Sequence, residues 1–418
     1  MQLILAVSFI LGILVSQGSS DVDLGRVVFA NILFRHGDRT PLDPYPNDPY
    51  RNESLWPVPF GQLTNLGKHQ HLKLGQWFRN RYNHLLPKKY SLYDIYVRST
   101  DVDRTLMSAE ANLAGLYPPT GDQTWDLKNW MPIPVHTVPS EDDVLAGKKY
   151  CDKYNYELQK VLTSPEMQAL NEENAELYKY LSEKSGKSIA TLEELEYLFN
   201  TLMIEEKFNK TLPDWTKSVY PDKLKPLADK SFTVPAYNKA LRRLKSGPLL
   251  KDMIHHFDLK SKHALTPDRK LWIYSAHDET VANFLMTLDL FEPHCPPYAA
   301  SVLLELRINA QNNYIVTVFY KNSSAEPVLL TLPGCIAACP LKQFIKLTKD
   351  VVPGNWEREC LMDYTRFRLS YDIVPVIAIL ATSVLMLIII MTIIMMCVYS
   401  HFKREHKPYY VRVSMDGT

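Results

Sequence analysis

The chain has 418 residues, 46% of them hydrophobic, with 47 Lys and Arg against 46 Asp and Glu. A formal net charge of +1 leaves no electrostatic footprint for nucleic acid. The length allows one large domain or two moderate ones, and the apolar fraction suffices for a full core.

Residues 3–15, LILAVSFILGILV, form an apolar run short for a membrane span, and Ser16, Gly18, Ser19 and Ser20 follow it. That pattern predicts a cleaved secretory signal over residues 1–20. No basic leader precedes the run, so an uncleaved anchor is the alternative reading.

Val27–Phe34 is nearly continuously apolar, as expected of a strand covered on both faces. It stops abruptly at Arg35-His36-Gly37-Asp38-Arg39. Thr64–Tyr82 has helical spacing, with Thr64 as its candidate cap. A second short strand, Tyr93–Val97, leads into Arg98-Ser99-Thr100-Asp101. Val102, Leu106, Ala109, Leu113 and Leu116 then hold helical spacing until Pro118-Pro119. Residues 152–206 are rich in Glu, Lys, Leu and Ala, and residues 151–245 read as a helical cap insertion. His255-His256 reads as a polar helix face. Leu271–Ser275 is again a strand, followed by AHDETVANFLMTL, a turn into a helix. Ser301–Ile308 and Tyr314–Tyr320 are two more strands, joined across Asn309–Asn313. Strands alternating with helices predict an α/β fold, a mostly parallel sheet flanked by helices.

Val374–Val398 is the last long apolar run, with no charge between Asp372 and His401. As a helix it would be roughly 37 Å long, enough to cross a bilayer. Basic residues lie on both sides, so the signal segment orients the chain more firmly than the charge rule does. The expectation is a single-pass type I membrane protein of the lysosome or cell surface. Residues 21–372 would lie in a lumen or outside the cell, and 399–418 in the cytosol. Asn-x-Ser/Thr sequons at Asn52, Asn209 and Asn322 all precede the span, as do five of the six cysteines. Cys335 and Cys339 are placed to close a tight loop. A zinc site there lacks two further ligands nearby, and no metal or cofactor is implied. In the tail, Tyr410-Val411-Arg412-Val413 fits the Tyr-x-x-hydrophobic pattern read by sorting adaptors, although a plain solvated tail fits it equally.

Three charged turns follow three strands, and in open α/β sheets ligands bind beyond the strands' carboxyl ends. Arg35, Arg39 and Arg98 present planar forks of donors that suit a phosphate. Gly37 would let the backbone approach such a ligand. His36 either attacks phosphorus as a nucleophile or merely hydrogen-bonds the anion. Asp278 is a candidate general acid for an ester oxygen, favoured by an acidic compartment, with His277 as a further donor. The His277-Asp278 pair could equally cap the helix that follows. Gly-x-Ser-x-Gly, Walker and His-Glu-x-x-His motifs are missing.

Arg35-His36-Gly37-Asp38-Arg39-Thr40-Pro41 matches the Arg-His-Gly-x-Arg-x-Pro motif of the histidine acid phosphatases. Tyr274-Ser275-Ala276-His277-Asp278 resembles their His-Asp motif, and Arg98 to Thr105 resembles a third shared segment. The likeness runs from about Val27 to Cys360, and the chain resembles the lysosomal and prostatic members of that family. The resemblance implies hydrolysis of phosphate monoesters through a phosphohistidine. His36 would be the nucleophile and Asp278 the proton donor, with Arg35, Arg39, Arg98 and His277 holding the phosphate. It also implies an α/β sandwich with a helical cap, bridges Cys151–Cys360 and Cys335–Cys339, and a free Cys295; relatives form dimers, but a homodimer of this chain is not readable from its sequence. Glu279 departs from the threonine of close relatives. A second carboxylate there would either raise the pKa of Asp278 or alter substrate preference, and a modest shift of the pH optimum is expected. Two alternatives stay open: an inactive phosphatase-like receptor ectodomain, and an enzyme narrowed to inositol phosphates or lysophospholipids.

Overall fold

The computed structural model describes residues 24–126, 130–322, 326–362 and 373–405. The signal segment expected at 1–20 and the Tyr410–Val413 pattern lie outside the described residues. The chain divides into two units, Met1–Cys360 and Leu361–Thr418.

Seven strands form the sheet of the first unit: β1 Arg26–Arg35, β2 Ile95–Ser99, β3 Leu271–Ala276, β4 Ser301–Ile308, β5 Tyr314–Lys321, β6 Val328–Leu330 and β7 Cys339–Pro340. Their order is β2-β3-β1-β4-β5-β6, with β7 also on β5. Only β2, β3 and β1 are parallel to one another; β4, β5, β6 and β7 pair antiparallel. The sheet is therefore mixed rather than mostly parallel. The reason is local: β4 and β5 are joined by a five-residue turn, Asn309–Asn313, and a connection that short admits only an antiparallel pair.

β1 is covered on both sides, and its side chains divide with the period of two expected of a strand. Phe29 and Leu33 pack into one core with Leu250, Phe257, Phe284 and Leu285. These come from helices α9 (Gly247–Ser261) and α10 (Asp278–Thr287), introduced with their neighbours below. Ala30, Ile32 and Phe34 pack into the other core with Leu74, Phe78, Leu113 and Leu116. Those belong to α1 (Asn65–Arg81) and α2 (Asp103–Leu116). Thr64 caps α1, its hydroxyl accepting from the Gly67 N–H at 3.1 Å. His256 on α9 is buried, stacked on Trp272 with ring centroids 3.8 Å apart. The His255-His256 pair is thus not a uniformly polar face, because α9 presses that side onto β3.

From Asp152 to α9 the chain is mainly helical: α3 Asp152–Leu162, α4 Pro165–Glu173, α5 Ala175–Ser185, α6 Leu192–Lys207, α7 Leu224–Ser231 and α8 Lys239–Lys245. Leu181, Leu195, Leu198, Leu202 and Leu224 give α5, α6 and α7 a core of their own, which Tyr45 joins from the loop after β1. Short helices α11 Leu341–Thr348 and α12 Trp356–Cys360 complete the unit. Disulfides join Cys151 to Cys360 and Cys335 to Cys339, and Cys295 is free. In the second unit α13 spans Ile373–Glu405. Its 27 residues Val376–Phe402, mean hydropathy 2.9, are long and apolar enough to cross a membrane.

One carboxyl pair links this cap core to the loop after β1. Glu205 on α6 is wholly buried, and Asp48 is 2% exposed. Both Glu205 oxygens and Asp48 Oδ2 have no donor to accept from among the described residues. With one proton between them they hydrogen-bond each other, and burial followed by the Asp48 charge pushes the Glu205 carboxyl well up. A folded-state pKa raised above the unfolded value means that folding takes up a proton. The stabilisation is complete below the unfolded carboxyl pKa and is lost as pH rises toward the raised value, by about 1.4 kcal/mol per pH unit. Melting curves at pH 5 and pH 8 are therefore expected to show a steeper loss of Tm in the wild type than in Glu205→Gln. Equal slopes would show that no proton is shared there.

Candidate active site

The parallel half of the sheet brings the charged turns together. In the β1–β3 register Arg35 lies beside Ala276, and in the β2–β3 register Ser99 lies beside Ser275. All three strands therefore end at one level. Backbone bonds join the turns beyond: His36 N–H donates to the Ala276 carbonyl at 3.0 Å, and Thr100 N–H to the Ser275 carbonyl at 3.0 Å. Gly37 is pressed against α1 rather than against a ligand. A Cβ there would lie 2.4 Å from the Gly67 carbonyl oxygen, so the motif needs glycine to seat its turn. Asp38 also acts on the scaffold, accepting from the Thr64 hydroxyl at 2.7 Å and pairing with Lys207 of α6 at 2.6 Å.

His36 is buried at 1% exposure, with its ring centroid 5.7 Å from that of His277 and 5.9 Å from that of Tyr298. Its Nδ1 lies 2.8 Å from the Gly37 carbonyl. A carbonyl only accepts, so Nδ1 carries the proton and Nε2 keeps its lone pair. Burial, then Arg35, Arg104, His277 and Arg39, hold the imidazole well below its ordinary pKa and so neutral. A neutral imidazole with a fixed tautomer is the nucleophilic form.

Arg35 is enclosed by three partners: Asp278 at 2.7 Å, the Pro296 carbonyl, and the Tyr298 ring at 4.2 Å. Arg39 donates to the Thr40 carbonyl at 3.0 Å and to Asn200 Oδ1 of α6 at 3.2 Å. Arg104, in the first turn of α2, reaches His277 Nδ1 at 3.5 Å. Burial and then Arg39 pull its pKa down to about 10, the mark of cations crowded together. The Nε–H groups of Arg35, Arg39 and Arg104 are all buried with no acceptor among the described residues. Unmade bonds at buried, charged donors are costly. Three at one place, around a neutral imidazole, fit an anion with several oxygens.

Arg98 is not in this group. Its guanidinium turns to Asp143 at 2.7 Å, and the third arginine at the site is Arg104. The reason is a neighbour far along the chain: Asp143 takes up the Arg98 guanidinium, whereas Arg104 lies beyond the strand in the first turn of α2. The same rule that located the turns could have selected it. Tyr298, Asn200 and Lys207 were also missed, and no spacing signal marks them.

His277 precedes α10 but makes no capping hydrogen bond. Its Nε2 lies 3.1 Å from the Thr100 hydroxyl, and burial followed by Arg104 pulls its pKa down. Asp278 begins α10. Burial opposes its charge, but Arg35, Arg39 and the Glu279 N–H outweigh it and hold the carboxyl below the usual range. On balance Asp278 is therefore lowered, although Glu279 and Asp278 still repel each other. Glu279 is drawn to Lys245 at 3.0 Å and Lys148 at 3.9 Å, which neutralise it. Cys295 Sγ lies 3.9 Å from Arg35 Nη1.

A family model for the histidine phosphatase superfamily (branch 2) matches residues 26–321. The chain is 40% identical to lysosomal acid phosphatase of Homo sapiens over 339 residues, 79% of each chain. It is 39% identical to prostatic acid phosphatase of Homo sapiens over 342 residues, 80% of this chain and 87% of that one. Among solved structures, a Citrobacter braakii phytase superposes with a TM-score of 0.63 at 18% identity, over 81% of this chain and all of that one. A Hafnia alvei phytase in complex with tartrate gives 0.62 at 19%, over 81% of this chain and 98% of that one. At such identities these two structures speak for the fold alone. The match over strands β1 to β5 and both charged motifs places this chain in the histidine phosphatase superfamily, branch 2.

Proposed function

We propose that the chain is an acid phosphatase that hydrolyses phosphate monoesters through a phosphohistidine on His36. The observation that carries this is the trio of buried, unaccepted Nε–H donors around a neutral imidazole. The phosphate dianion takes donors from Arg35, Arg39 and Arg104. His36 Nε2 attacks phosphorus and the bond to the ester oxygen breaks. Asp278 gives that oxygen its proton, so it leaves as an alcohol. Water then attacks the phosphohistidine, Asp278 takes its proton, and the N–P electron pair returns to Nε2. Throughout, Nδ1–H stays on the Gly37 carbonyl.

Asp278 must be protonated to act first as an acid, yet Arg35 holds it ionised in the free enzyme. The incoming dianion resolves this. It competes for Arg35 and places negative charge beside the carboxyl, both of which raise its pKa. Acidic pH does the rest, so turnover is favoured in acid.

Asp278→Asn tests the acid role through the leaving group. With an alkyl phosphate, turnover is expected to fall by about 10²–10⁴-fold. With p-nitrophenyl phosphate, whose phenolate departs unaided, the loss is much smaller. Equal losses on both would remove Asp278 from the proton transfer.

The placement of the chain is part of the same reading. It has a signal at residues 1–20, an ectodomain at 21–372 with its cap at 151–245, a span at 374–398 and a cytosolic tail at 399–418. Asn52, Asn209 and Asn322 are all exposed, as glycan acceptors need to be. Tyr410–Val413 would address the protein to lysosomes through an adaptor, and the family resemblance makes a homodimer the expected assembly.

A further inference from the structure

Helix α6 docks on the catalytic turn at two points. Asn200 Oδ1 accepts from Arg39 at 3.2 Å, and Lys207 pairs with Asp38 at 2.6 Å while lying 4.4 Å from the Tyr298 ring. Helical spacing puts Glu196, four residues before Asn200, on the same face one turn earlier. Glu193, three residues further back, is exposed and accepts from the Tyr197 hydroxyl at 3.2 Å. Glu196 is half-buried, and its carboxyl makes no hydrogen bond or ion pair among the described residues. The charged groups that act on it are Asp278 from α10, Arg39 and Arg35 from the β1 turn, and Glu193 from its own helix. Cys295, in the loop after α10, also feels its charge.

The direction of the reaction gives this position a meaning. Attacking and leaving atoms lie roughly in line in phosphoryl transfer. With His36 attacking from the β1 side, the leaving group points toward the cap, where α6 covers the turn. Among charges, that of Asp278 acts most on Glu196, ahead of Arg39 and Arg35, which puts Glu196 on the Asp278 side of the site. Burial and then Asp278 push the Glu196 carboxyl up to about 8, against the pull of Arg39 and Arg35. At acidic pH it is therefore a neutral acid with an O–H to donate, and it does not repel a phosphate.

We propose that Glu196 is a specificity-determining residue that donates a hydrogen bond to a hydroxyl on the leaving group, favouring polyol and sugar phosphates over aryl phosphates. This rests on the phosphatase reading above. A side chain with one neutral donor discriminates by about three- to tenfold.

The test measures kcat/KM at pH 5 for glycerol 2-phosphate and phenyl phosphate, in the full chain and in Glu196→Ala and Glu196→Gln. The glycerol/phenyl ratio is expected to fall by about three- to tenfold in Glu196→Ala. Glu196→Gln, which keeps a neutral donor at that place, should retain the ratio. Alanine favours helix, so α6 persists in the first variant, and the glutamine variant separates donation from packing. A ratio unchanged in Glu196→Ala, or lost equally in Glu196→Gln, would overturn the proposal. Wild-type protein that hydrolyses neither ester would sink the phosphatase reading, and this proposal with it.

Discussion

Replacing His36 with alanine is expected to lower turnover of p-nitrophenyl phosphate by about four orders of magnitude or more, the scale of losing a covalent nucleophile. The rest of the site cannot compensate. The arginine donors would still bind phosphate, but no neutral nitrogen would remain on the axis of attack. His277 is not a substitute, since its two ring nitrogens are engaged with Thr100 and Arg104. The same variant should trap no phosphoenzyme on rapid quenching with labelled substrate, whereas the wild type should label. Because His36 is buried, a melting curve must accompany the assay. A folded His36→Ala protein with substantial turnover would mean that water attacks the ester directly. The imidazole would then only hydrogen-bond the anion.

The second large effect separates two arginines six residues apart. Arg104→Ala is expected to lower kcat/KM by about 10²–10³-fold, as for loss of one donor aimed at developing charge. Arg98→Ala should cost much less activity, because its guanidinium is spent on Asp143. It should instead cost stability. Asp143 is buried at 1% exposure and would keep only the Ala146 N–H at 3.1 Å among its present partners. Leaving a buried carboxylate short of a charged donor costs on the order of 2–3 kcal/mol. Activity and thermal stability measured on both variants should therefore move in opposite senses. If Arg98→Ala proved the more damaging to kcat/KM, the assignment of Arg104 to the phosphate would fall.

Where sequence reading succeeded, a local rule coincided with the tertiary requirement. β1 is apolar on every residue that both cores need, so its pattern alone identified a strand covered on two faces. Thr64 was legible as a cap because capping depends on one hydroxyl and the N–H three residues on. The turns after β1 and β3 were legible because their charge follows directly on buried strands. The reading failed where the deciding neighbour is far along the chain. Arg98 and Arg104 share one short segment, and only Asp143, packed beside β2, removes the first from the site. Glu279 is expected to raise Asp278, yet Arg35 and Arg39 set the balance there, and Lys245 and Lys148 offset part of the Glu279 charge. Tyr298 and Asn200 carry no motif at all, since each matters only through Arg35 or Arg39.

By itself the sequence determined strands β1, β3, β4 and β5 and helices α1 and α2, the apolar helix near the end of the chain, and the chemistry available at two turns, for these follow from periodicity and residue type over a few positions. Tertiary structure alone decided which strands run antiparallel, which arginines converge, the protonation of His36 and Asp278, and what the cap lays over them. Those properties depend on distances and burial shared between segments far apart in the chain, and no local pattern contains that information.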